Sequence, residues 1–467
     1  MIEARAKVRF PGGLLLLGAA IAANAAVLFG CDGDDDHALG PDDAGTDSAP
    51  DADPEDARDA ASEPTDARTS TDGAAEPVVC TTTPCATQIA GAEGFFCALL
   101  SDGTVSCWGT DVSGSLGSGV DASSGAPSAP TRIEGLAGVT QISARQSACA
   151  LQNDGVVKCW GRNDYGQLGL TDTEAPSDGE PHPVPSVVAL AEKAVRVDVN
   201  DLYTCAVLAS GKLACWGLNN AGLLARGGPT PYIGSPALAS IDDRVVRTTT
   251  GSSLSESGAV RTWGLLLGRE SSVPVDHPSF VALPIPSLTG VTEIAAEAVT
   301  TARAGRAEGH ACVIANGEVY CWGNTNKYGE LCTGLGNVEE TPARVSLPLP
   351  PGVFPQQLAL TSKNTCVRAT DGTVLCCGVD DLGQLGGGAV TDGGVAFVYQ
   401  GKPFSPTFRP ARSLEGHAVQ VAINDGAACA LLASGEVKCW GSNRSGQLGT
   451  GARDDAPHPT PVRVVFP

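Results

Sequence analysis

The sequence predicts an all-β fold, a seven-bladed β-propeller built from seven repeats and preceded by a signal peptide and a disordered acidic tether. Three observations carry the prediction. A strand–turn–strand stretch of about 13 residues recurs seven times between residues 97 and 449. Its copies start 47 to 63 residues apart, a spacing that argues for one large repeat domain rather than several unrelated ones. After residue 31 few windows hold a helical period, while 58 Gly and 32 Pro suit many short strands and turns.

The repeated unit is a β-hairpin. Its copies are CALLSDGTVSCWG (97–109), CALQNDGVVKCWG (149–161), CAVLASGKLACWG (205–217), SSLSESGAVRTWG (252–264), CVIANGEVYCWG (312–323), CVRATDGTVLCCG (366–378) and CALLASGEVKCWG (429–441). In the second copy, Asn153-Asp154-Gly155 is turn chemistry between two apolar runs. A three-residue loop sets Gln152 against Val156 and, counting outward, Cys149 against Cys159, a pairing that can be bridged. The fifth copy tests the register. Its cysteines are one residue closer and its loop, Asn316-Gly317, is one residue shorter, so Cys312 still faces Cys321. In the fourth copy Ser252 and Thr262 hold the cysteine positions, which predicts the weakest hairpin.

Of 17 cysteines, 12 form the hairpin pairs Cys97–Cys107, Cys149–Cys159, Cys205–Cys215, Cys312–Cys321, Cys366–Cys376 and Cys429–Cys439. That regularity is a disulfide pattern of an oxidising compartment. No CxxC occurs, and symmetry about a β-turn is foreign to zinc sites. Cys80 and Cys85 flank Thr81-Thr82-Thr83-Pro84 and close a small loop. Cys332 stands where its unit should end in Gly, and Cys377 where its unit should have Trp. Both are replacements at motif positions of adjacent blades, so an inter-blade bridge is expected between them. Cys376 and Cys377 are strand neighbours that face opposite ways, which keeps Cys376 for Cys366.

Along the chain, residues 1–30 resemble a bacterial lipoprotein signal. Arg5, Lys7 and Arg9 precede the apolar run Leu14–Phe29, and Leu28-Phe29-Gly30-Cys31 looks like a lipobox, so Cys31 is the expected lipidation site. Residues 31–77 read as a disordered acidic linker: from residue 32 it carries 16 acidic residues against Arg58 and Arg68. It supplies −14 of the −24 left once residues 1–30 are removed, so the acidity is mostly linker. Residues 78–467 form the propeller. Each unit reads as a strand such as Gly138–Ile142, the hairpin, a turn such as Asn163–Gly166 leading to Gln167-Leu168-Gly169, and a proline-flanked outer strand, four strands to a blade.

The signature CALxxDGxVxCWGxNxxGQLGxG, nearly intact at 149–169 and 429–451 and degraded around Thr262-Trp263-Gly264, resembles the regulator of chromosome condensation repeat family over about residues 86–467. The resemblance implies a seven-bladed propeller, and the strand Pro461–Phe466 is placed to close the ring on the first blade. In eukaryotes the family includes a nuclear guanine-nucleotide exchange factor acting on chromatin. This exported, acidic, disulfide-bonded chain is expected to share the fold and not the exchange activity. A secreted propeller that inhibits β-lactamases offers a mode of action by analogy, through loops on one face.

A net charge of −22 argues against nucleic acid. The six histidines, His37, His182, His277, His310, His417 and His458, are scattered with no pair at metal-ligand spacing, and the glycines sit at repeat turns rather than in a phosphate loop. No catalytic constellation, metal or cofactor is therefore expected. The expectation is a monomeric, envelope-anchored, non-catalytic propeller that binds an unknown protein, with a glycan-binding or glycan-cleaving surface as the alternative. The insertion Gly387–Ser413 concentrates Phe397, Tyr399, Phe404 and Phe408, which are the candidate partner-binding residues.

Overall fold

Strand–turn–strand units that alternate or run apolar must bury their faces against one another, and here they do so as seven antiparallel sheets in sequence order. The computed structural model describes residues 76–467 except 82, 120–128, 171–176, 220–221, 229–231, 265–278, 301–306, 337 and 388–396. The signal segment 1–30, Cys31, linker residues up to 75, His37 and His277 lie outside the described residues. No helix is assigned among the described residues. Six sheets have four strands; the sixth has five. The described residues all fall in the unit Asp66–Pro467.

The hairpin register follows from turn chemistry. Gly155, Gly211, Gly372 and Gly435 have φ near +80°, the left-handed turn position. Cys149 lies opposite Cys159 and Cys312 opposite Cys321, with Cα atoms 4.1 Å apart in both. Disulfides join all six hairpin pairs, and also Cys80–Cys85 and Cys332–Cys377. In the fourth blade Ser252 faces Thr262 without a covalent link.

The core is a set of seven apolar layers, each between two blades. One joins blade 7 to blade 1: Val419, Leu431 and Leu448 pack with Ile89, Phe96 and Trp108. Six tryptophans are wholly buried. A buried indole favours a partner for its N–H, and for five of the six the motif supplies the acceptor. Trp160 donates to Ser115 O, Trp216 to Gln167 O, Trp263 to Leu223 O and Trp440 to Gln384 O, in each case the first residue of the Gln-Leu-Gly turn of the preceding blade, at 2.7–3.0 Å. Trp108 donates to Gln447 O at 2.9 Å, so the same latch closes the ring. The motif Asn or Asp holds that turn through its side chain, as Asn163 Oδ1 does on Leu168 N–H.

Ring closure differs from the expectation in one respect. Pro461 to Arg463 belong to the strand His458–Arg463, which pairs within blade 7. The residues after it reach blade 1, with Val464 buried beside Trp108 and the Phe466 ring 5.7 Å from the Trp108 ring. The chain before the first blade also straps across. Val79 and Thr81 donate backbone hydrogen bonds to Ala433 O and Ser434 O at the tip of the blade 7 hairpin. Glu76 bonds Arg368 and His417, each at 2.6 Å.

Candidate functional site

Two regions collect polar or exposed groups: the central channel and one loop-rich rim. Seven positions are equivalent on the inner strands, Gln88, Gln141, Arg196, Arg247, Glu293, Gln357 and Gln420, and all but Gln357 line the channel. Where the residue is Gln, its amide clips the next blade. Gln88 Nε2 donates to Ile142 O and its Oε1 accepts from Ile142 N–H at 2.8–3.0 Å; Gln420 makes the same pair of bonds with Ile89. In blades 3 to 5 charge replaces amide. Arg196 pairs with Asp198, which also accepts from Thr248 N–H, and Arg247 pairs with Glu293. Burial, then repulsion from Arg196, pushes Arg247 down to about 9. Arg145 crosses from blade 2 to pair with Glu297 of blade 5 and lies 3.4 Å from Asp201. The charges neutralise one another inside a cavity of about 250 Å³.

The rim site is built by blades 5 and 6. The extra strand of the sixth sheet is Phe397–Tyr399, joined to Lys402–Pro410 by Gln400-Gly401, both at positive φ. That is the two-residue turn whose twist suits a hairpin. Tyr399 packs edge-on against Tyr328 of blade 5, with ring centroids 5.3 Å apart. Phe397 lies opposite Phe404, 5.8 Å between ring centroids. Tyr399 and Phe404 form one side of a groove of about 360 Å³, and Leu335 and Val338, 58% and 49% exposed, form another.

Of the four aromatics expected at a partner surface, Phe397 and Tyr399 are exposed and Phe404 is half-buried. Phe408 is a correction: it is 4% exposed and packs with Cys332, Cys377 and Leu375. The cause is a bulge common to the outer strands. Between Arg409 opposite Cys376 and Ser405 opposite Gly378, three residues face the single residue Cys377, and Phe408 is the third of them. Other blades place Pro185 or Pro461 there, across from a tryptophan. Blade 6 has lost that tryptophan, and Phe408 fills the volume.

The exchange at this interface is threefold. A Cβ at Gly169 would come within 2.8 Å of Trp216 Nε1, and one at Gly449 within 3.0 Å of Trp108 Nε1, so Gly suits the end of the turn where Trp is its neighbour; beside Trp263 the place is held by Ala225 at φ 50°. With Cys377 in the Trp place, Cys332 fits at φ 57° and a disulfide spans the interface, Cα atoms 5.8 Å apart. Thr365 Oγ1 donates to Glu330 O at 2.7 Å, the carbonyl an indole would have taken. His310 lies 2.8 Å from that hydroxyl, and burial pushes its imidazole down to about 3, so it stays neutral and donates through Nε2. His182 and His458 each pair with an Asp four residues earlier, at 2.8 and 2.7 Å, and His417 with Glu76. No cluster of three or more potential metal ligands occurs among the described residues.

The fold defines a class, the all-β seven-bladed propeller, and parts of the chain match models of the regulator of chromosome condensation repeat. Models of that repeat match residues 154–207 and 434–467, and a second model matches 418–447. The chain is 26% identical over 335 residues to the Arabidopsis thaliana ultraviolet-B receptor UVR8, covering 70% of each. It is 28% identical over 365 residues to the mouse E3 ubiquitin-protein ligase HERC2, of which it spans only 7%. Among solved structures, Prp20p of Saccharomyces cerevisiae superposes with a TM-score of 0.64 at 20% identity, over 82% of this chain and 87% of that one. Human WBSCR16 follows at 0.56 and 17%, over 73% and 85%.

Proposed function

We propose that this chain is an envelope-anchored, non-catalytic propeller that binds another protein through loops on one face. The observation that carries the reading is the rim between blades 5 and 6, where Phe397, Val398 and Tyr399 stand exposed beside Leu335 and Val338 in a chain with only 5% aromatic residues. Exposed aromatics around an apolar groove are what a protein interface uses as anchors. A similar propeller supports the class of function: yeast Prp20p binds Gsp1p and histones, and has been seen bound to Kap60. The anchor would be an acylated Cys31, motivated by the lipobox, with the acidic linker as spacer.

Affinity capture from envelope extracts with the purified full chain, beside a Tyr399→Ala, Leu335→Asp variant, tests the binding. Proteins retained by the wild type and lost by the variant support the reading; retention of glycans alone points to the glycan-binding alternative. Intact mass of the membrane-extracted protein tests the anchor, and a mature chain without acyl mass on Cys31 refutes it.

A further inference from the structure

The outer edges of the blades are guarded. A sheet edge offers unpaired N–H and C=O groups to any passing strand, and proline is a standard way to blunt it, because it has no N–H and sits badly in a ladder. The outer strands of blades 2, 3, 5 and 7 carry Pro183 and Pro185, Pro236, Pro342, and Pro459 and Pro461. Blade 4 ends its outer strand at Pro284, and that of blade 1 is two residues long. Blade 6 departs from the rule. Its proline-bearing strand, Lys402–Pro410, is covered by Phe397–Tyr399, which has neither proline nor charge, and Val398 is 59% exposed.

The register says which groups that edge presents. A two-residue turn closes on a hydrogen-bonded pair, here Tyr399 and Lys402, so the next pair, Val398 and Pro403, is not hydrogen-bonded. Pro403 agrees: it has no N–H, and its carbonyl accepts from Asp380 N–H on the other side at 2.8 Å. The N–H and C=O of Val398 therefore point outward, to an edge that pairs with no strand among the described residues. Phe397 and Tyr399 share one face of this strand, and Tyr399 lines the groove with Leu335 and Val338.

We propose that the Phe397–Tyr399 edge takes up an extended segment of the partner protein by strand addition. The segment pairs with Val398 and is apolar at alternate residues, so that one row of side chains lies over Leu335 and Val338. The proposal rests on the protein-binding reading above and supplies its mode. A second copy of this chain is the poorer occupant, because a three-residue edge falls well short of the roughly 1,200–2,000 Å² that a stable dimer buries.

The test uses the full chain and a capped heptapeptide alternating valine and threonine, with two copies N-methylated on the valine or the threonine nitrogens. Fluorescence anisotropy should show saturable binding of the parent peptide. The copy methylated on the paired edge should bind at least tenfold more weakly, and Val398→Pro, which removes the outward N–H while leaving the hairpin bonds, should weaken the parent tenfold or more. The methylated peptides need no variant, so misfolding of Val398→Pro cannot mask the result. No parent binding, or equal binding of all three peptides to wild type and variant, overturns strand addition. So does wild-type dimerisation that Val398→Pro abolishes, or displacement of the parent peptide by a synthetic peptide of residues 388–396. If a captured partner stays bound to Val398→Pro, only the mode fails; if no protein is captured at all, the protein-binding reading fails with it.

Discussion

Asp380 shows how one atom changes a repeat. It holds the place of Asn163, Asn326 and Asn443, and its Oδ1 accepts from Leu385 N–H as theirs do from Leu168, Leu331 and Leu448. Burial pushes the Asp380 carboxyl up to about 6. A carboxyl whose folded pKa exceeds its unfolded value near 4 favours the folded state fully below about pH 4 and loses that contribution as pH rises through about 6. Asp380→Asn keeps the acceptor without the charge. Urea unfolding should show the variant more stable by roughly 1–3 kcal/mol at pH 8, with the gain gone by about pH 4. The neighbouring exchange is also testable. Cys377→Trp alone loses the bridge and overpacks against Cys332 and Phe408, which should cost about 3 kcal/mol or more. Adding Cys332→Gly and Phe408→Pro should recover at least half of that loss, a non-additivity readable in the same unfolding curves. The two cysteines were legible in the sequence because each breaks a motif letter. Phe408 was not: three residues oppose one in the bulge, so its counterpart, the second proline of His-Pro-Val-Pro, appears only when the outer strands are aligned on that bulge.

At the scale of the element, the hairpin was readable because its information is local. Turn residues fix the loop, the loop fixes the register, and the register sets Cys312 against Cys321 despite the deletion. The inner strands were harder to read. What Gln88 or Gln357 does depends on a backbone more than 50 residues away, and nothing nearby in sequence separates a clipping amide from a solvated one. Nor does local pattern tell Arg247, paired with Glu293 across a blade boundary, from a surface arginine. The fourth hairpin offers a direct trial of the register. Ser252 and Thr262 face one another as the cysteines do elsewhere. The double variant Ser252→Cys, Thr262→Cys should oxidise on purification and raise stability by about 2–3 kcal/mol on the chain-entropy estimate. Thermal melts with and without reductant measure it, and a pair that stays reduced in air would contradict the register.

For the molecule as a whole, stability sits in seven interfaces between blades, and five of them share the Trp latch, including the one that joins its last blade to its first. Trp108→Phe and Trp160→Phe both strip a buried carbonyl of its donor, Gln447 O in one case and Ser115 O in the other. Each should cost about 1–3 kcal/mol. Equal losses in urea unfolding are expected if closure is one more ordinary interface; a much smaller loss for Trp108 would mean the ring is closed chiefly by other contacts. The strap at Glu76 to Thr81 has a consequence of another kind. It runs along the tips of the cysteine hairpins, whereas the Gln-Leu-Gly turns and the Phe397–Tyr399 hairpin occupy the opposite ends of the strands. The strap thus meets the propeller at its hairpin-tip end, and the aromatic rim of Phe397 and Tyr399 opens on the end away from it.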